Sequence, residues 1–135
     1  MSSFTSLLAV VQLLRTGLWR TARPLVYHAG FEGSGERYTV PQGFCTDFAS
    51  VPRVLWSLVG NPVGRYAAAA VLHDWLYATA PVDRARADAL FLEAMGVLGV
   101  RWSQRWALYL GVRLGGWLAW RRHRRPETHE VPGGG

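Results

Sequence analysis

Lysine is absent, cysteine occurs once and acids are few: nine Asp and Glu stand against fifteen cations, every one an arginine. The single Cys45 excludes an intrachain disulfide, so the fold must hold by packing, and nothing points to an oxidising compartment. A net charge of +6 built on arginine alone fits a GC-rich coding sequence as well as a binding role, so no specific nucleic-acid partner is expected. Long apolar runs are missing too. None reaches the ~20 residues that span a bilayer. The opening "MSSFTSLLAVVQLLRTGLW" has no basic residue before its apolar centre and no small-residue cleavage site, so no signal peptide is expected and cytoplasmic residence is the default. No internal repeat and no glycine-rich phosphate loop is visible.

What is present is enough for one core. The chain has 135 residues, 50% of them hydrophobic, which predicts a single domain over residues 1–122 followed by a disordered basic and Gly-rich tail over 123–135. Three β-rich runs, "LLAVVQLL", "LWRTARPLVYH" and "RYTVP", are separated by Thr-Gly and by "GFEGSGE" and predict a three-stranded antiparallel meander. Ser50 before Val51-Pro52 marks the start of a short helix that Gly60, Asn61 and Pro62 end. A helix from Gly64 or Arg65 to about Ala78 follows. The next starts after Pro81, with Asp83 as N-cap, and runs to about Leu98. The last runs from Ser103 to about Arg122 and contains "WALYLGVRLGGWLAW", interrupted only by Arg113. Trp106, Leu110, Trp117 and Trp120 share a helical face there, which predicts core packing, with attachment to a membrane surface beside the arginine-rich end as the other use. The fold class is therefore α+β: a small antiparallel β-meander, an α-helical hairpin and a C-terminal amphipathic helix.

The hairpin carries the chemistry. His73 and Asp88 stand at equal distances from the connecting "ATAPVD", so two antiparallel helices bring them to equal height. With axes ~8–10 Å apart, an imidazole and a carboxylate facing each other can hydrogen-bond. Tyr77, four residues after His73, shares its face. A carboxylate that fixes the imidazole tautomer lets the other ring nitrogen take a proton from water or a hydroxyl. Asp74 points a quarter-turn away and has the oxygen chemistry of a calcium ligand. The same spacing describes equally well a buried polar network that locks the hairpin.

The runs "VPQGFCTDFASVPRVLW", "AAAAVLHDWLY" and "RADALFLEAM" together resemble an uncharacterised family of bacterial and bacteriophage proteins, domain of unknown function 1353, over about residues 6 to 118. The resemblance implies an α+β domain, frequently encoded in phage or prophage regions, with no established reaction. It gives Cys45 no role. A second, local resemblance links "HDWLY" and the following "D-x-x-F-x-x-x-M" to the paired helices of secreted phospholipases of the A-two type. That likeness implies His73 as general base, Asp74 as calcium ligand, Asp88 as orienting carboxylate and Tyr77 as a supporting donor. The glycine-rich calcium loop and the helix-linking disulfides of those enzymes are not visible, so the likeness speaks for geometry more than for substrate.

In "TDFASVPR", Asp47, Ser50 and Arg53 lie beside a helix start whose N–H groups can hold an anion. Asp47 can join Asp74 as a cation ligand, or these residues can be ordinary turn and capping groups. Ser50 as a nucleophile would lack the strand-turn-helix setting of a nucleophile elbow. His28, His123 and His129 have no metal-ligand spacing. The expectation drawn from all this is a phage- or prophage-associated hydrolase. His73 activates water, Asp88 orients it, Asp47 or Asp74 binds a divalent cation such as calcium, and an ester or lipid is the substrate. The competing expectation is a non-catalytic virion or assembly protein that contacts phage structural proteins through its aromatic and arginine-rich end.

Overall fold

The computed structural model describes residues 3–4, 10–12, 19–30, 36–46 and 66–124. Six short strands come first: β1 (Ser3–Phe4), β2 (Val10–Gln12), β3 (Trp19–Thr21), β4 (Leu25–His28), β5 (Arg37–Val40) and β6 (Cys45–Thr46). They form two three-stranded antiparallel sheets, ordered β1-β4-β5 and β2-β3-β6, rather than one meander. The run "LWRTARPLVYH" is where the single-sheet expectation fails, because β3 and β4 within it belong to different sheets. Pro24 accounts for the break: it has no N–H for a ladder and restricts Arg23 before it. In β4, Leu25 and Tyr27 are buried while Val26 and His28 are partly exposed, the period-two pattern of a strand with one face on a core. Leu25 pairs with the buried Val40, and Tyr27 with Tyr38.

Thr21 joins the end of β3 to the turn before β6. Its hydroxyl donates to the Pro41 carbonyl at 2.8 Å and accepts from the Phe44 N–H at 3.0 Å. The Gly43 N–H returns to the Thr21 carbonyl at 2.9 Å. Gly43 sits at φ +87°, a left-handed conformation that a side chain would strain. The turn delivers Thr46 to the helical layer.

Four helices complete the described chain: α1 (Ala67–Thr79), α2 (Arg84–Val97), α3 (Trp102–Gly115) and α4 (Trp117–Arg124). The first two match the predicted hairpin to within a few residues. Asp83 is the N-cap of α2, its carboxylate accepting from the Arg86 N–H at 2.8 Å. Helix α1 is buried on nearly every side, packed against α2, α4 and strands β4, β5 and β6. Its alanine run, Ala67 to Ala70, lets these neighbours approach closely. Leu25, Tyr27 and Val40 of the sheet share one apolar cluster with Leu72, Leu76, Phe91 and Leu108 of the helices.

The single C-terminal helix expected from Ser103 to Arg122 is two helices, parted at Gly116. A β-carbon there would lie 2.6 Å from the Tyr77 hydroxyl and 2.5 Å from the Val112 carbonyl. The expected core face is also not a core face. Helix α3 buries Leu108 and Val112, whereas Trp106, Leu110 and Trp117 are exposed and Trp120 alone of the four packs inward. Leu108 and Val112 lie on the side opposite the Trp106–Leu110 row, so the helix has apolar residues on both faces and its tertiary contacts chose one. Helix α4 runs to Arg124, two residues into the expected tail. The predicted short helix after Ser50 lies outside the described residues, as does the rest of the tail.

Candidate functional site

Helices α1 and α2 meet as the spacing around their turn requires. Ala80 ends α1 in a left-handed conformation, φ 51° and ψ 49°, with its N–H bonded to the Leu76 carbonyl. The short connection to Asp83 turns the chain back, and His73 Nε2 comes to 2.6 Å from Asp88 Oδ1. Tyr77 donates its hydroxyl to the same oxygen at 2.7 Å. Asp88 Oδ2 takes Arg113 Nη1 from α3 at 2.8 Å, with Arg84 Nη1 at 3.5 Å. Four side chains from three helices thus converge on one carboxylate.

Two aromatic rings pack on the His73 imidazole in tilted contacts, Tyr77 with its centroid at 4.2 Å and Phe91 at 4.6 Å. Trp120 of α4 then meets the Tyr77 ring edge-on at 5.2 Å. His73, Tyr77 and Asp88 are each 0% exposed. The site is a sealed polar knot inside an apolar core.

Burial pushes the His73 pKa down, against the pull of the Asp88 carboxylate, and nearby Arg84 lowers it further. Burial also works to raise the Asp88 pKa, but the bonds from His73, Tyr77 and Arg113 prevail and hold it below the ordinary carboxylate value. The consistent protonation state is a neutral imidazole donating its Nε2–H to an ionised Asp88 whose charge the two arginines balance. Burial and the neighbouring carboxylate push the Tyr77 phenol well above its normal range. Arg84 has a further role: its guanidinium donates to the Val112 and Arg113 carbonyls at 3.1 and 3.2 Å, capping the C-terminal end of α3.

Asp74, the other acid of "HDWLY", points away from the knot toward β6, and the Thr46 hydroxyl donates to its Oδ2. It is 8% exposed. Asp47, Ser50 and Arg53 lie outside the described residues. Among the described residues no group of three or more His, Cys, Asp or Glu side chains is placed to hold a metal ion. A surface hollow of about 600 Å³ is lined by Arg20, Thr21, Ala22, Gln42 and Gly43, and none of the hairpin residues reaches it.

Reading the sequence brings together His73, Tyr77 and Asp88 but misses Arg84, Arg113 and Thr46. Arg113 left a signal: it is the lone charge in the fifteen residues of the last helical run, the pattern of a cation placed in an apolar stretch to meet an acid. Asp88 left the complementary one, as an acid in the apolar stripe of Ala87, Phe91, Ala94 and Met95. Thr46 gave none.

Comparison with known proteins adds a family and one partial relative. The uncharacterized protein y4jT of Sinorhizobium fredii (strain NBRC 101917 / NGR234) is 40% identical over 47 residues, 34% of this chain and 14% of that protein. The chain therefore spans only a small part of that relative. No solved structure matches. Residues 19–112, most of the chain and the whole hairpin, match the family described as "Protein of unknown function (DUF1353)", and the chain belongs to that family.

Proposed function

We propose that the protein is a non-catalytic binding module, a rigid helical scaffold that acts by presenting a surface. Its setting in this reading is the phage or prophage that the sequence resemblance suggests. One observation carries it: His73, Tyr77 and Asp88 have no exposed surface, and every one of them is engaged with the others. A general base must reach the proton it removes, directly or through one water, and an imidazole with 0% exposure offers a substrate no surface to approach. The knot instead ties α1, α2 and α3 together, as satisfied buried networks do.

The hydrolase reading draws support from the 2.6 Å dyad contact and from the second acid of the motif, Asp74, on the same helix, and the same variant separates the two. Exchanging His73→Asn removes the ring that fills the knot and leaves Asp88 short of a donor. The binding-module reading expects a loss of about 1–3 kcal/mol of stability, read as a lower thermal midpoint, with no turnover of ester or phospholipid substrates by either form, with or without calcium. Turnover by the wild type that vanishes in the variant, at an unchanged midpoint, would establish the enzyme instead.

A further inference from the structure

The solvent side of α3 is apolar. Trp102, Trp106, Leu110 and Leu114 recur every fourth residue, and they are 69%, 38%, 53% and 79% exposed. Steps of four turn by only ~40° each, so the row stays on one side of the helix for ~18 Å of its length. It lies opposite the buried Leu108 and Val112. Helix α4 extends it with Trp117 and Leu118, which are 43% and 57% exposed. A soluble surface carries such residues singly, and a contiguous row marks a surface that something covers.

Charge identifies what covers it. From Ala94 to Arg124 the chain has six arginines and no acid. Arg113 is spent on Asp88, but Arg101, Arg121 and Arg122 are exposed at the two ends of the row. The Arg121 guanidinium rests over the Trp117 ring, 5.2 Å from its centroid, so apolar and cationic surface are interleaved. A second copy of this chain would bring arginines of one sign together across a two-fold interface with no acid in the segment to answer them. Tryptophan rings at the water boundary, leucines beside them and arginines at the flanks are the composition that seats a helix in the headgroup region of a membrane.

We propose that the Trp102–Leu118 face of α3 and α4 docks on an anionic lipid bilayer, lying in its interface rather than crossing it. No helix among the described residues is long and apolar enough to cross a membrane. The proposal rests on the scaffold reading above, in that the His73 knot fixes α3 against the hairpin and keeps Leu108 and Val112 inside. It deepens that reading by naming the surface's partner. Anionic headgroups meet Arg101, Arg121 and Arg122 while the indoles and leucines enter the acyl boundary.

The test is flotation of the full chain with phosphatidylcholine vesicles, with and without roughly one-third phosphatidylserine, at low and raised salt. The expected result is binding at least about tenfold stronger to the anionic vesicles, weakened by salt, with a blue shift of tryptophan emission. The double exchange Leu110→Glu and Leu114→Glu, on exposed positions, should lose that binding about tenfold or more at an unchanged thermal midpoint. Arg121→Glu with Arg122→Glu should remove the preference for anionic lipid. Equal affinity for both vesicle types, or none from a folded protein, would overturn the proposal. So would self-association, or capture of a protein partner, that depends on Leu110 and Leu114 without vesicle binding. A catalytic His73 would show itself in turnover and leave flotation untouched, so the scaffold reading and the lipid proposal fail by different measurements.

Discussion

Asp88→Ala should destabilise the protein by about 3–5 kcal/mol, because it deletes one partner of a buried ionic network and leaves the others in place. The carboxylate is bound by His73, Tyr77 and Arg113, with Arg84 at 3.5 Å. Removing it strands an imidazole N–H and a phenol O–H in a fully buried space, and two guanidinium groups lose the anion that balances them. Chemical denaturation at neutral pH reads the effect directly. Tyr77→Phe removes one bond and keeps the ring against His73 and Trp120, so its cost should be nearer about 1 kcal/mol. A change at Asp88 no larger than at Tyr77 would mean that the carboxylate is not the centre of the network.

Gly116→Val should cost about 2–3 kcal/mol by overpacking. The position is helical in backbone terms, φ −74° and ψ −12°, so glycine is not needed there for its conformation. It is needed for space. A β-carbon would press on the Tyr77 hydroxyl and on the Val112 carbonyl, and relief would move either the donor that serves Asp88 or the last turn of α3. The carbonyl is backbone and cannot swing aside as a long side chain would. Gly115→Val, one residue earlier and exposed, is the control. Equal midpoints for the two variants would show that Tyr77 does not need the close approach.

The hairpin was legible because its determinants are local. Asp83 caps α2, Pro81 stands in the turn, and equal spacing of His73 and Asp88 about that turn sets their height, so face-to-face contact follows from helix geometry alone. The arginines were not legible in the same way. Arg84 reaches forward across one turn of its own helix to Asp88, and Arg113 arrives from a third helix whose docking no local signal specifies. The C-terminal face shows the limit most clearly. "WALYLGVRLGGWLAW" offers apolar residues on two sides of α3, and periodicity cannot say which side meets the core. The sheet region failed for a related reason, since "LWRTARPLVYH" has β-prone residues on both sides of Pro24, and the outer pairings of β1 with β4 and β3 with β6 join segments more than twenty residues apart.

The protonation state of the knot links it to acid stability. The folded state holds His73 below its ordinary value of 6.5, so the unfolded chain binds a proton that the folded chain refuses. Stability from this group is then complete above about pH 6.5 and is lost as pH falls from there toward the folded-state value. Asp88, also lowered, extends the loss in the same direction below its ordinary 3.8. Both groups make the fold weaker in acid.

The most direct measurement is a ¹⁵N NMR titration of the His73 ring, with the denaturation midpoint followed over the same pH series. A sealed network predicts a neutral ring protonated at Nε2, with slow exchange of that proton, and a titration displaced below the ordinary 6.5 while the protein stays folded. A ring that titrates near 6.5 in the folded protein, with its Nε2 proton exchanging freely with water, would contradict the buried lock and return His73 to the reach of a substrate.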